Sequence, residues 1–146
     1  MVQGNLTKMK TSLEDEVEYR LMLSEEVLMN DFVGKHLKIE FTGRINCQNC
    51  GKVTKKTFSD GFCYNCFTTA AQAAECIIRP ELCRAHLGEG RDPEWEEKHH
   101  NQPHVVYLAA SSAIKVGITR ATQVPTRWMD QGASSAVILA ETPNRY

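Results

Sequence analysis

Apolar and polar residues alternate over two early stretches, VEYRLML (17–23) and HLKIEFTGRI (36–45), with Gly34 and Gly43 punctuating them. Alternation of this kind places every second side chain on one face, as a half-buried strand does, so the first 45 residues read as β-structure. The texture changes at TTAAQAAECII (68–78), whose alanines favour a short helix ended by Pro80. Residues 88–104 (GEGRDPEWEEKHHNQPH) are polar, carry two prolines and read as an irregular connector. Two apolar runs follow, VVYLAA (105–110) and IKVGI (114–118), and the short turn Ser111-Ser112-Ala113 between them signals a hairpin. Pro125 and Gly132 bracket a short helix carrying Arg127 and Trp128, and AVILAE (136–141) reads as a further strand. Thr142-Pro143 is a helix-opening pair, a capping hydroxyl followed by proline at the first helical position. The sequence stops where that helix should begin, which reads as a truncated product or a gene fragment. Together these patterns predict an α+β chain in three parts. They are a β-rich segment over 1–45, a cysteine-rich region over 46–104, and a hairpin–helix–strand unit over 105–146.

Composition adds bounds to this picture. A chain of 146 residues suffices for one ordinary domain or two small ones, and a hydrophobic fraction of 42% allows a packed core. A formal net charge of −1 gives no global field that would draw the chain onto nucleic acid. The local pattern is less even. Residues 14–31 are acidic, opposed only by Arg20, whereas Lys35, Lys38, Arg44, Lys52, Lys55 and Lys56 face Glu40 alone over 35–56. No apolar run approaches the ~20 residues of a membrane span and no signal pattern opens the chain, so a cytoplasmic protein without a membrane partner is the default. Six cysteines in a reducing compartment point to metal or redox chemistry rather than to disulfides.

Four of those cysteines form a pattern: Cys47-x-x-Cys50, twelve residues, then Cys63-x-x-Cys66. Two-residue gaps let both thiolates of a knuckle turn towards one tetrahedral zinc at ~2.3 Å. Gly51 after the first pair and Gly61 before the second suit tight turns, and KVTKKTF supplies a hairpin between them. A thioredoxin-like redox site needs one such pair at a strand-to-helix junction, not two flanking a hairpin. The expectation is a zinc ribbon over 46–68 in which four thiolates leave no open coordination position, so the ion is structural. Zinc with four thiolates carries a formal charge of −2. Two readings therefore stand for Lys52, Lys55 and Lys56: balancing the thiolates, or contacting nucleic-acid phosphates.

A second cluster lies over 76–104. Cys76, Cys83, His86, His99, His100 and His104 fall within thirty residues, with Cys83-x-x-His86 and His100-x-x-x-His104 spaced like the halves of a finger site. A second structural zinc would take Cys76, Cys83, His86 and His100. The competing reading makes Cys76 plain core and the histidines solvated surface.

INCQNCGKVTKKTFSDGFCYNCF, RPELC, GRDPEW, HVVYLA, KVGITR and VPTRWMDQGA resemble stretches of a prokaryotic family known as domain-of-unknown-function family 2797. Members of that family often carry cysteine where this chain has Gly90 and His100, which implies a second zinc site with His100 a substituted ligand and Gly90 a lost one. They also run on with a helical segment. The last part is in addition similar to the core of GIY-YIG nucleases. That resemblance aligns Tyr107 with the tyrosine of the first motif and Gly117 with the glycine of the second, where Lys115 replaces the tyrosine. It aligns Arg127 with the helical arginine. It implies phosphodiester hydrolysis with a magnesium ion activating water, Tyr107, Lys115 and Arg127 in the site, and arginine steadying phosphate charge. The fold's metal-binding glutamate comes from a later helix, and Glu141, on a strand, is a poor substitute.

The leading expectation is thus a zinc-binding protein that contacts DNA or RNA and is non-catalytic in this form. A metal-dependent nuclease in a full-length form is the alternative. A zinc-stabilised scaffold for protein partners, using the acidic N-terminal segment, is the third reading.

Overall fold

Eight short strands and three short α-helices organise the chain, described here over residues 1–146 in a computed structural model. Helix and sheet are mixed, as the hydrophobic pattern predicts. Strands β1 (Lys10–Leu13), β2 (Val17–Met22) and β3 (Glu26–Leu28) form an antiparallel meander in that order, with Lys10 opposite Arg20 and Arg20 opposite Leu28. The second expected strand does not form. Residues 36–43 stay outside any ladder, and only β4 (Ile45–Asn46) pairs, with β5 (Val53–Thr54). Leu37, Ile39 and Phe41 are 50%, 83% and 74% exposed. Alternation prepares a two-faced strand, but a strand persists only against a neighbour's N–H and C=O groups. These side chains instead line a groove of about 770 Å³ with Met1, Leu6, Leu21 and Phe32.

The alanine-rich helix is also displaced. Helix α1 spans Tyr64–Thr69, and the following residues break into 3₁₀ turns at Ala71–Ala73, Glu75–Ile77, Pro80–Leu82 and Ala85–Leu87. Pro80 opens one of these turns rather than ending a helix. Helix propensity is a weak preference. Here the chain coils so that Cys76 and Cys83 both turn inward, at 7% and 1% exposure. The polar stretch read as a connector contains helix α2, Pro93–His99. Its start carries two local signals: the Asp92 carboxylate accepts a hydrogen bond from the Trp95 N–H at 3.1 Å, and Pro93 takes the first helical position.

The C-terminal unit follows the expected order. Strand β6 (His104–Ala110) lies between β7 (Ile114–Arg120) and β8 (Ser135–Thr142), all antiparallel, with α3 (Thr126–Asp130) between β7 and β8 in sequence. Val105, Tyr107 and Ala109 alternate along β6 and are 1–3% exposed, beneath Val124, Trp128, Ala133 and Ala136. Past β8 the expected helical opening is not taken. Thr142 Oγ1 donates to the Asn144 carbonyl at 2.7 Å, and the Arg145 N–H donates to the His100 carbonyl at 2.9 Å.

The two ends of the chain meet. Thr11 Oγ1 donates to the Asp130 carboxylate at 2.8 Å, the Tyr19 hydroxyl donates to the Met129 carbonyl at 3.3 Å, and Lys8 pairs with Asp130 at 2.6 Å. The N-terminal meander therefore packs on the C-terminal unit, and the cysteine-rich region is an excursion from that body. Only 14 of 146 residues are buried, nine of them in three small apolar clusters, and two of these clusters are built around cysteines: Cys47–Phe62–Cys66 and Cys76–Cys83–Ala85. Clusters this small cannot carry a fold by apolar burial alone.

Candidate metal centres

The first centre is assembled by two turns. Cys47 follows β4, and the knuckle closes as the Gly51 N–H donates to the Cys47 carbonyl and the Cys47 N–H to the Lys52 carbonyl, each at 2.9 Å. Gly51 (φ +72°) and Gly61 (φ +100°) sit in the left-handed region that glycine enters without a Cβ penalty. Cys63 precedes α1 and Cys66 lies in its first turn, so the helix aims the second pair inward. The Gln48 N–H donates to the Gly61 carbonyl at 2.9 Å and ties the knuckles together.

The four sulfurs of Cys47, Cys50, Cys63 and Cys66 all lie within 4.8 Å of one another. Cys50 Sγ and Cys63 Sγ are 3.9 Å apart, against about 3.8 Å for two ligands of a tetrahedral ion with 2.3 Å bonds. Sulfur charge is supported from outside. The Cys63 N–H donates to Cys47 Sγ at 3.2 Å, and the Asn49 amide donates to Cys66 Sγ at 3.4 Å.

Ionisation is divided among these thiols. Burial pushes Cys47 upward, but the N–H groups of Cys50, Cys63 and Asn49 outweigh it and hold the thiol at about 6. At Cys66 the Asn49 amide pulls the thiol down, yet burial and the neighbouring Cys63, Cys50 and Cys47 push it up to about 11. Four sulfurs this close cannot all carry charge without a cation among them. The group can hold a metal ion, and an all-thiolate tetrahedral set fits zinc.

Lys52, Lys55 and Lys56 are exposed on this hairpin. None of them pairs with a carboxylate. Lys56 Nζ stands 5.1 Å from the Phe58 ring centroid, and Tyr64 beside them is 61% exposed.

The second group brings together Cys76, Cys83 and His100, with ligand atoms all within 4.8 Å. Cys76 Sγ faces His100 Nδ1 at 4.0 Å. Burial, reinforced by Cys83 and Glu96, pushes the Cys76 thiol up to about 11. Burial, reinforced by Arg145, His104, His99 and Arg120, pushes His100 down to about 4, so its ring is neutral at pH 7 and offers a lone pair. His86 is not part of the group. Ala85 takes the inward position of its 3₁₀ turn at 3% exposure, which turns His86 out to lie 5.1 Å from the Tyr146 ring. His99 stacks on Trp95 with ring centroids 4.2 Å apart, and its Nδ1 lies 2.7 Å from the Trp95 carbonyl. His104 is fully buried, with Nδ1 2.6 Å from the Gln102 carbonyl.

Two residues around this group escaped the sequence reading. Arg145 donates from Nε to the Cys76 carbonyl at 3.1 Å and from Nη2 to the Ile77 carbonyl at 2.7 Å, bracing the turn that carries Cys76. Nothing in the pattern near Tyr146 signals that contact. Glu96 is 2% exposed, a rare state for a carboxylate. Its four-residue offset from His100 along α2 was the available clue.

The residues aligned with a nuclease core are placed differently. Tyr107 stands directly opposite Gly117, whose missing Cβ makes room for the phenol ring. Tyr107 is 1% exposed, and its hydroxyl donates to Gln131 Oε1 at 3.1 Å. Lys115 and Arg127 are both exposed. The structure joins neither to Tyr107 by a hydrogen bond.

No helix is long and apolar enough to cross a membrane. A family model described as "Protein of unknown function (DUF2797)" matches residues 34–146. No curated protein matches, and no solved structure matches.

Proposed function

The chain belongs to the DUF2797 family of proteins of unknown function, and we propose that it is a zinc-stabilised binding protein whose ribbon hairpin contacts the phosphates of nucleic acid. One observation carries this reading: three exposed lysines, Lys52, Lys55 and Lys56, share a hairpin fixed by a four-cysteine centre and pair with no carboxylate. Zinc in that centre is structural, because four thiolates fill its tetrahedral shell. The ion's net −2 with its ligands draws on the lysines' charge from within, and the hairpin turns their ammonium groups outward to solvent. Tyr64, edge-on to the Phe58 ring that Lys56 covers, offers an exposed ring on which an unpaired base can stack.

Fluorescence anisotropy with labelled single- and double-stranded DNA and RNA, at about 50 and 200 mM salt, tests the proposal. The expected result is affinity that falls with salt. Lys52→Ala, Lys55→Ala and Lys56→Ala combined lower the salt slope by roughly 2–3. Absence of binding, or a triple variant with unchanged affinity, would rule it out.

A second reading, kinship with GIY-YIG nucleases, is favoured by the direct pairing of Tyr107 with Gly117 and by the helix that follows. Catalysis through that site needs a phenol within reach of a magnesium-bound water, whereas the Tyr107 hydroxyl is committed to Gln131 beneath α3. Kinship without activity in this chain is therefore the form we propose. Incubation with magnesium and mixed nucleic acids should leave them intact, and cleavage abolished by Arg127→Ala would reverse this view.

A further inference from the structure

The group Cys76, Cys83 and His100 supplies three ligand atoms, while tetrahedral structural zinc takes four. Among the nearby histidines His86 faces Tyr146, His99 is stacked and bonded to Trp95, and His104 lies outside the group. Two buried side chains remain beside the group, His104, whose Nε2 makes no hydrogen bond, and Glu96; of the two, Glu96 approaches a ligand atom of the group. Glu96 Oε2 lies 3.8 Å from His100 Nδ1, the same ring nitrogen that faces Cys76 Sγ at 4.0 Å. We infer that Glu96 is the fourth ligand, closing a second tetrahedral metal centre of the form Cys76–Cys83–His100–Glu96; this rests on reading the three-residue group as a metal site.

Four features support it. Glu96 and His100 are one helical turn apart at the end of α2, so both project from one face. Glu96 Oε1 accepts the Arg91 N–H at 2.9 Å, which anchors one oxygen and leaves Oε2 turned towards the imidazole. No lysine or arginine side chain pairs with this carboxylate, which is 2% exposed; a buried charge without a cation is costly. Residue 90 is glycine, and a Cβ there would overlap the Glu96 carboxyl carbon and both its oxygens. The backbone thus leaves room for the carboxylate beside the cysteines.

Two of the six distances between the four ligand atoms are near those around a bound ion. Ligands at about 2.0–2.3 Å from a tetrahedral ion lie roughly 3.4 Å apart for nitrogen and oxygen and 3.6 Å for nitrogen and sulfur. The observed 3.8 and 4.0 Å are wider by a few tenths of an ångström. Oε2 stands outside the 4.8 Å group, so binding draws it inward by side-chain rotation. Charge also balances. Zinc with two thiolates, one carboxylate and a neutral imidazole carries −1, and the Arg145 guanidinium, bonded to the Cys76 and Ile77 carbonyls, supplies +1.

Cobalt(II) titration of the metal-stripped full chain tests this, because visible d–d bands report tetrahedral geometry and thiolate charge-transfer bands report sulfur ligands. The wild type should take two equivalents. Glu96→Gln, which keeps size and removes charge, should fold by circular dichroism, bind the second equivalent at least tenfold more weakly and change its d–d envelope. Glu96→Ala should do the same, and His86→Ala should match the wild type. A Glu96→Gln protein with wild-type affinity and spectrum for the second ion would overturn the assignment of Glu96 alone. A wild type that takes a single equivalent would overturn the second centre itself.

Discussion

Alanine at position 117 would set a Cβ 2.6 Å from both Cζ and the hydroxyl oxygen of Tyr107. Ordinary contact begins at 3.4 Å, so ring and strand must part by about 0.8 Å. Neither has room. The ring is 1% exposed, packs edge-on to Trp128 with centroids 6.1 Å apart, and is tethered to Gln131. Overpacking a full site costs about 1–3 kcal/mol, and losing the Gln131 hydrogen bond adds about 1 kcal/mol. Alanine returns about 0.5–1 kcal/mol because it orders more cheaply than glycine in a strand. The net expectation for Gly117→Ala is a loss of about 1–3 kcal/mol, or roughly 3–10 °C in Tm for a chain of this size. Urea titration at fixed zinc concentration, followed by tryptophan fluorescence and far-ultraviolet circular dichroism, measures it. A double-mutant cycle isolates the cause. In a Tyr107→Leu background the same substitution should cost less than about 0.5 kcal/mol or stabilise. If Gly117→Ala were as stable as its parent, or cost the same in both backgrounds, the close approach would not be the reason for glycine there.

Three further outcomes are expected. Cys47→Ser should remove one equivalent of bound zinc, counted by chromophoric chelator release, and melt the hairpin around Val53, since structural zinc contributes about 10–16 kcal/mol to small finger peptides. Asp92→Ala should cost about 1 kcal/mol by removing the N-terminal cap of α2, read as a lower urea midpoint at unchanged slope; no shift would mean the Trp95 N–H finds another partner. Acidification should weaken the region around α2. In the metal-stripped chain the folded His100 sits at about 4 against 6.5 unfolded, so the unfolded chain binds the proton first and stability falls as pH drops from 6.5 towards 4. That loss is up to roughly 3 kcal/mol, and it should shrink in His100→Ala when midpoints are compared at pH 7 and 4.5.

What the sequence disclosed divides along physical lines. The four-cysteine centre was legible because its ligands lie in two short knuckles, where spacing alone constrains geometry. The β6–β7 hairpin and α3 were legible for the same reason: their signals are local. The strand expected over 36–45 failed because alternation describes faces and says nothing of partners, and Leu37, Ile39 and Phe41 found none in a ladder. Helix α2 was hidden by Pro93 and a run of charge, although Asp92-Pro93 is a capping pair. The second centre was half read. Cys76, Cys83 and His100 converge, but spacing could not show that Ala85 claims the inward position and turns His86 away, nor that Glu96 is buried. The roles of Tyr107 and Arg145 depend on residues 24 and 69 positions distant, beyond the reach of any local pattern.

The meeting of the chain's two ends sets an order of assembly. The Cys47–Cys63 contact spans 16 residues, whereas the Thr11–Asp130 and Tyr19–Met129 bonds span 119 and 110. Closing a long loop carries the larger entropic penalty and yields contacts late. The ribbon can therefore capture its ion while the termini still diffuse freely, and each captured ion shortens the loop that remains to be closed. The meander over residues 10–28 then acts as a clasp that fastens only when α3 is in place. Native-state hydrogen exchange should show its amides opening first, with the knuckles still protected. Metal loading becomes an early, local event, and completion of the body a separate and reversible one.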